Sequence, residues 1–119
     1  MDSPYDDLSS NFQEFYYWCI SEDTSPSVAR ARDDIPFTMI TVLQGEELEI
    51  AKELLLEKLK TSRSCFYISA LMEVNDRRAI PLIRKRLREY KRENWNPERD
   101  FRYEIKLCRK AIRKLKYSI

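Results

Sequence analysis

The sequence predicts an all-α protein, an α-solenoid of about three antiparallel helical hairpins. Three observations carry that expectation. Gly45 is the one glycine in 119 residues, too few for the turns of a β-rich fold. Apolar residues recur at intervals of three and four along most of the chain. A nine-residue stretch also recurs without gaps at an offset of 28, residues 51–59 onto 79–87, as stacked helical units do.

The first helix is expected over about residues 5–20, where Leu8, Phe12, Phe15, Tyr16 and Cys19 share a face and Tyr17, Trp18 and Ile20 widen it. The polar, proline-containing run 21–27 reads as a loop. A second helix begins within 27–34, with Pro36 tolerated in its first turn. Ile35, Met39, Val42 and Leu43 form its stripe, and Gly45 would cap its C-terminus. The third helix, 46–60, opens on acidic residues, favourable at the positive end of the helix dipole. Its stripe is Leu48, Ala51, Leu55 and Leu59, widened by Leu54. The segment 65–74 is apolar almost all the way round, which suits a helix sandwiched between neighbours. Asn75-Asp76 then supplies a turn and a cap for a helix over about 77–92, with Pro81 near its start. Residues 93–98 break that helix. The last, about 98–117, carries Phe101, Ile105, Cys108, Ile112 and Leu115 at steps of four, three, four and three.

Within the repeat, Ala51 falls on Ala79, Leu54-Leu55 on Leu82-Ile83, and Leu59 on Leu87. The partner helices correspond as well, Ala70-Leu71 and Val74 with Ala111-Ile112 and Leu115, at an offset of 41 that the longer loop around Trp95 explains. A single domain over residues 1–119 follows, with hairpins at about 5–44, 46–75 and 76–117, the first a divergent unit.

Composition limits the chemistry. Histidine is absent, which removes Ser–His and Cys–His nucleophile pairs and the commonest metal ligand. One glycine cannot build a phosphate-cradling loop. Enzymes also run on carboxylates, lysine or tyrosine, yet no motif for them is evident; the expectation is a protein that is not an enzyme, with no cofactor and no metal. Cys19, Cys65 and Cys108 are scattered without CxxC spacing, as reduced thiols in a cytosolic protein are. No basic stretch precedes an apolar run at the N-terminus, and no apolar run has the length of a membrane span. A cytoplasmic location without membrane contact is therefore expected.

The net charge of +2 conceals an asymmetry. Residues 1–75 carry 6 Lys+Arg against 14 Asp+Glu, a net of −8, whereas residues 76–119 carry 16 against 6, a net of +10. An elongated stack would have an acidic end and a basic end.

The run Asn75-Asp76-Arg77-Arg78-Ala79-Ile80-Pro81-Leu82-Ile83-Arg84-Lys85-Arg86-Leu87 resembles the core of a HEAT-like repeat, in the form found in short bacterial proteins related to phycobilisome lyases. Tyr67-Ile68, Ala70-Leu71 and Val74 look like the second helix of the preceding unit, and the match covers about residues 46–90. Repeats of this kind imply a scaffold that binds other proteins, and some HEAT-like folds bind DNA. The combination of residues 49–59 with Asp76-Arg77-Arg78-Ala79-Ile80-Pro81 is also similar to bacterial immunity proteins, which neutralise a cognate toxin by covering it. The expected partner is accordingly a protein, a toxin domain above all, with nucleic acid as the alternative.

Two charged faces are candidate sites. In the last helix Arg102, Lys106, Arg109, Arg113 and Lys116 form a line about 100° round from the Phe101–Leu115 stripe, with Arg99, Lys110 and Lys114 beside it. This line reads either as a face that meets phosphates or an acidic protein patch or as an ordinary solvated face, and its one-sign charge, unusual on an idle surface, keeps the first reading level with the second. No aromatic residues alternate with the cations to stack bases, which weighs against single-strand binding. The acidic set is Asp33, Asp34, Glu46, Glu47, Glu49, Glu53 and Glu57; it lacks the spacing of a calcium loop, reads as a solvated face, and would attract a basic partner. Phe15-Tyr16-Tyr17-Trp18 reads as core and end-cap packing, and Trp95 as tucked back on its hairpin or a binding anchor. The residues expected to contact a partner are Tyr67 and Glu73 of the middle hairpin and Arg102, Lys106, Arg109 and Arg113 of the last.

Overall fold

A computed structural model describes residues 5, 7–24, 35–62, 65–95 and 100–117, with the backbone alone at 22–24. The described residues are helical or in turns, with no strand among them. In chain order the helices are α1 (Ser10–Thr24), α2 (Ile35–Val42), α3 (Gly45–Thr61), α4 (Phe66–Glu73), α5 (Ile80–Glu93) and α6 (Arg102–Lys116). A 3₁₀ turn, Arg77–Ala79, leads into α5.

Hydrogen bonding at the ends decides where the helices begin. α1 starts later than the apolar pattern suggests because Ser9 caps it: the Phe12 N–H donates to Ser9 Oγ at 3.3 Å. It also runs on through residues 21–24, expected to be loop, since Ser-Glu-Asp-Thr contains no helix breaker and the first proline lies beyond, at 26. The start expected for the second helix, within 27–34, lies outside the described residues; Pro36 sits in the first turn of α2 as described, and is buried. Gly45 takes φ +58° at the head of α3, so the left-handed residue lies at the entry to the following helix and not on the last turn of α2.

Asn75 and Asp76 form a double junction. Asn75, at φ +55°, lets its N–H donate to the Met72 carbonyl at 3.2 Å while the Asp76 N–H donates to Leu71 at 3.2 Å, a Schellman closure of α4. Asp76 Oδ1 then accepts the Arg78 N–H at 3.1 Å and opens the 3₁₀ turn. At α6 the same device recurs. Asp100 Oδ1 accepts the Arg102 N–H at 3.0 Å, so the helix starts at Arg102, several residues after the expected boundary.

Packing follows chain order. α1 lies on α2, α3 on α4 and α5 on α6; α3 also meets α1 and α5, and α4 meets α2 and α6. The molecule measures 46 × 37 × 19 Å, and the short axis equals about two helix diameters. α4 is the hub, enclosed by α2, α3 and α6, which is why it is apolar on nearly every side: Tyr67, Ile68, Ala70 and Leu71 are buried. Phe12, Phe15, Trp18, Ala51, Leu55, Leu59, Ala79, Ile83, Cys108 and Leu115 join them in one continuous core. Trp18 meets Tyr67 edge-on with ring centroids 5.6 Å apart, tying α1 to α4. The repeat positions behave alike, Ala51 with Ala79 and Leu55 with Ile83 being wholly buried. No described helix is long and apolar enough to cross a membrane.

Candidate functional site

The last helix is where sequence and structure differ most usefully. Its buried residues are Leu107, Cys108, Ala111 and Leu115. Ile105 and Ile112, expected to share that stripe, are only half-buried. The inward face is thus turned by about 65° from the expected one, and the cation line lies nearly opposite it at about 165°. Arg102, Lys106, Arg109, Arg113 and Lys116 consequently point to solvent, and all are exposed.

Arg102 is the one member of that line held by a carboxylate. Asp100 Oδ1 accepts from its Nε at 3.0 Å and Oδ2 from its Nη2 at 2.8 Å. Those bonds, with the backbone N–H bond and the guanidinium charge, hold the exposed Asp100 carboxyl down to about 2. Among the described residues Lys106, Arg109, Lys110, Arg113, Lys114 and Lys116 make no ion pair. The cations Arg84, Lys85 and Arg88 on α5 make none either.

The acidic helix behaves in the opposite way. Glu49 pairs with Lys52 at 3.4 Å, Glu57 with Lys60 at 2.8 Å, and Glu53 with Arg78 of the next hairpin. Glu47 Oε1 accepts the Ser9 N–H at 2.7 Å. These carboxylates are solvated, as expected, but largely satisfied within the chain. Asp33 and Asp34 lie outside the described residues, as does Arg99. Among the described residues, then, Glu49, Glu53 and Glu57 of α3 are paired, whereas the outward cations of α6 beyond Arg102 are not.

Two concavities flank the open cations. One, of about 730 Å³, runs along α6 from Asn94 past Arg102, Ile105, Lys106 and Lys110. The other, of about 430 Å³, lies between α5 and α6, bounded by Arg84, Leu87, Ile112, Lys116 and Tyr117. Arg109 and Arg113 line both, so the two concavities adjoin at these side chains and together make up the grooved face of α6. α6 is about 22 Å long, which sets the groove's reach.

Of the six residues expected to contact a partner, four stand on this surface. Glu73 is exposed on α4 but lines neither concavity. Tyr67 does not reach the surface at all: it is wholly buried, stacked edge-on against Trp18 in the core. Its phenol ring serves the hub position of α4, which a helix covered on all sides requires. Trp95 reverses the reading that it tucks back, being 80% exposed directly after Asn94 at the end of the groove. Tyr103 and Tyr117, not singled out by the sequence, are 66% and 72% exposed on or beside α6.

Arg86 was also missed as a structural residue. It is buried, and its Nη2 donates to the Leu59 carbonyl at 2.7 Å and to that of Ser62, while Nη1 meets Glu89 at 2.8 Å. It thereby caps the C-terminus of α3 from α5. The signal was its place on the Ile83–Tyr90 face, three residues from the first and four from the second.

Cys19 and Cys108 are buried and Cys65 half-buried, and none of the three is in a disulfide. Among the described residues no three Cys, Asp or Glu side chains gather where they could hold a metal ion. No family model, curated protein or solved structure matches the chain.

Proposed function

We propose that this chain is a non-catalytic binding protein, a three-hairpin HEAT-like α-solenoid that engages an anionic partner through α6, and that its role is that of a bacterial immunity protein occluding a cognate toxin. One observation carries the choice of surface: beyond Arg102 the outward cations of α6 make no ion pair among the described residues, whereas Glu49, Glu53 and Glu57 of α3 are each paired. Uncompensated like charge costs folding free energy, so a surface that keeps it is suited to a partner that supplies the opposite sign. The order of helix packing, hairpin on hairpin in two layers, supports the solenoid reading. Occlusion needs no cofactor and no bond-making step; it needs area, shape and charge.

The test uses the neighbouring reading frame. Growth inhibition by the C-terminal domain of a secreted protein encoded immediately upstream should be relieved by the wild-type chain. The Arg109→Glu/Arg113→Glu variant, verified as folded, should fail to relieve it. Rescue by both proteins would remove α6 from the interface, and turnover of any substrate lost on changing one carboxylate would overturn the non-catalytic reading.

A second reading has its own observation. Trp95, Tyr103 and Tyr117 stand exposed around the cation line and supply the stacking surfaces that the sequence pattern lacked. Nucleic-acid binding would show as affinity for DNA or RNA that falls steeply with salt.

A further inference from the structure

The groove along α6 is not uniformly charged. Its walls are Arg109 and Arg113 with Lys106 and Arg84, but half-buried aliphatics form its floor: Ile105 in the first concavity and, seven residues on, Ile112 in the second, where Leu87 of α5 lines the same space. Seven residues is two helical turns, about 10.5 Å, so the floor offers two apolar contacts with a third beside the second. A nucleic-acid backbone would use the walls and gain little from such a floor. A protein segment with carboxylates along its flanks and aliphatic side chains two turns apart would use both.

We propose that the occupant of this groove is an acidic amphipathic helix of a partner protein, laid along α6 with its apolar side on Ile105, Ile112 and Leu87 and its carboxylates on the four cations. This rests on the reading of α6 as the binding face and names the chemistry of its partner. Helix-in-groove recognition depends on apolar anchors at intervals of three, four and seven, and the isoleucine spacing matches the longest of these. Desolvation of the floor excludes water from between the charges, and this strengthens the ion pairs relative to those on an open surface. Trp95, at the end of the groove, provides a spectroscopic reporter, because the other tryptophan, Trp18, is buried in the core.

The experiment titrates the full chain, at about 50 mM NaCl, with three probes: a helical peptide of glutamates with leucines on one face, polyglutamate of equal length, and oligo-dT. Binding is read from Trp95 fluorescence and from the anisotropy of labelled probe. The amphipathic peptide is expected to bind about tenfold or more tighter than polyglutamate, and to lose about tenfold with either Arg109→Glu/Arg113→Glu or Ile105→Ser/Ile112→Ser. The probe comparison needs no variant, so it stands even if the isoleucine substitutions impair folding. Equal binding of peptide and polyglutamate, or tighter binding of oligo-dT, overturns the proposal. Sensitivity to the arginines without sensitivity to the isoleucines overturns the apolar floor and leaves the α6 binding face intact. If none of the probes binds, both fall.

Discussion

The Nη2 of Arg86 lies 2.7 Å from the carbonyl oxygen of Leu59, so that a cation on one helix closes the C-terminus of another 27 residues earlier. A helix end leaves its last carbonyls without partners, and a buried end must find them elsewhere. Here the adjacent hairpin provides the donor, and the two units are joined by more than apolar packing. Glu53 of α3 also pairs with Arg78 of the 3₁₀ turn that leads into α5.

Replacing Arg86 with methionine, which keeps volume but removes the donors, is expected to cost about 2–3 kcal/mol of stability, because buried carbonyls are left unpaired. Arg86→Lys should recover part of the loss, since one ammonium cannot reproduce the forked contacts to the two carbonyls and Glu89. Urea unfolding of the two variants measures both. A methionine variant as stable as wild type would show that the carbonyls find other donors.

Asp76 gives a prediction in pH. Burial pushes its carboxyl up, but the Arg78 side-chain and backbone bonds and the Arg78 charge outweigh that and hold it below its ordinary 3.8. A depressed carboxylate contributes stability above its unfolded value, and that contribution is lost as pH falls through the folded one. Unfolding free energy should therefore drop below about pH 4 in the wild type, and less steeply in Asp76→Asn. Asp76→Ala should cost about 1–2 kcal/mol at neutral pH through the lost cap. Asp100→Ala, whose pair with Arg102 is exposed, should cost less.

The thiols separate by burial. Burial pushes Cys108 up to about 11, whereas half-buried Cys65 is open to reagent. Alkylation near pH 8 should modify Cys65 first and Cys108 only after unfolding, read by mass spectrometry of digested protein. Because the folded value of Cys108 lies above the unfolded 9.0, its contribution to stability is present below pH 9 and declines between 9 and 11. A Cys108→Ala variant should lack that decline.

The helices and much of the core could be read in advance wherever the apolar period and burial coincide. α3 shows this, with Ala51, Leu55 and Leu59 buried as the stripe required. α6 shows the limit. It packs on both α5 and α4, so its inward face is set by two partners whose positions no local period encodes, and Ile105 and Ile112 fall to the edge. Tyr67 was misread for the related reason that α4 is apolar almost all the way round, so its sequence does not mark which side faces outward. Helix starts at Ser10 and Arg102 were legible in principle from Ser9 and Asp100, capping residues that apolar counting passes over. Arg86 and Trp95 defied type, an arginine inside and a tryptophan outside; for Arg86 the reason is tertiary, the carbonyls of Leu59 and Ser62 that it caps.

The open cations of α6 predict a trade of stability against binding. Arg109 sits mid-helix with Lys106 three residues before it and Arg113 four after it, and like charges at those spacings repel by a few tenths of a kcal/mol each. Arg109→Glu turns both repulsions into attractions, far enough from either end for the helix dipole to matter little. The variant is expected to be more stable than wild type by about 0.5–1 kcal/mol at low salt. The gain should shrink at about 0.5 M NaCl, where the Debye length falls to a few ångströms. The same substitution should weaken binding of the partner, as expected where a surface is kept for recognition at the expense of the fold. Paired urea curves at the two salt concentrations decide it: a variant less stable than wild type at low salt would mean that Arg109 has a stabilising partner within the chain, and the surface would lose its claim to be open.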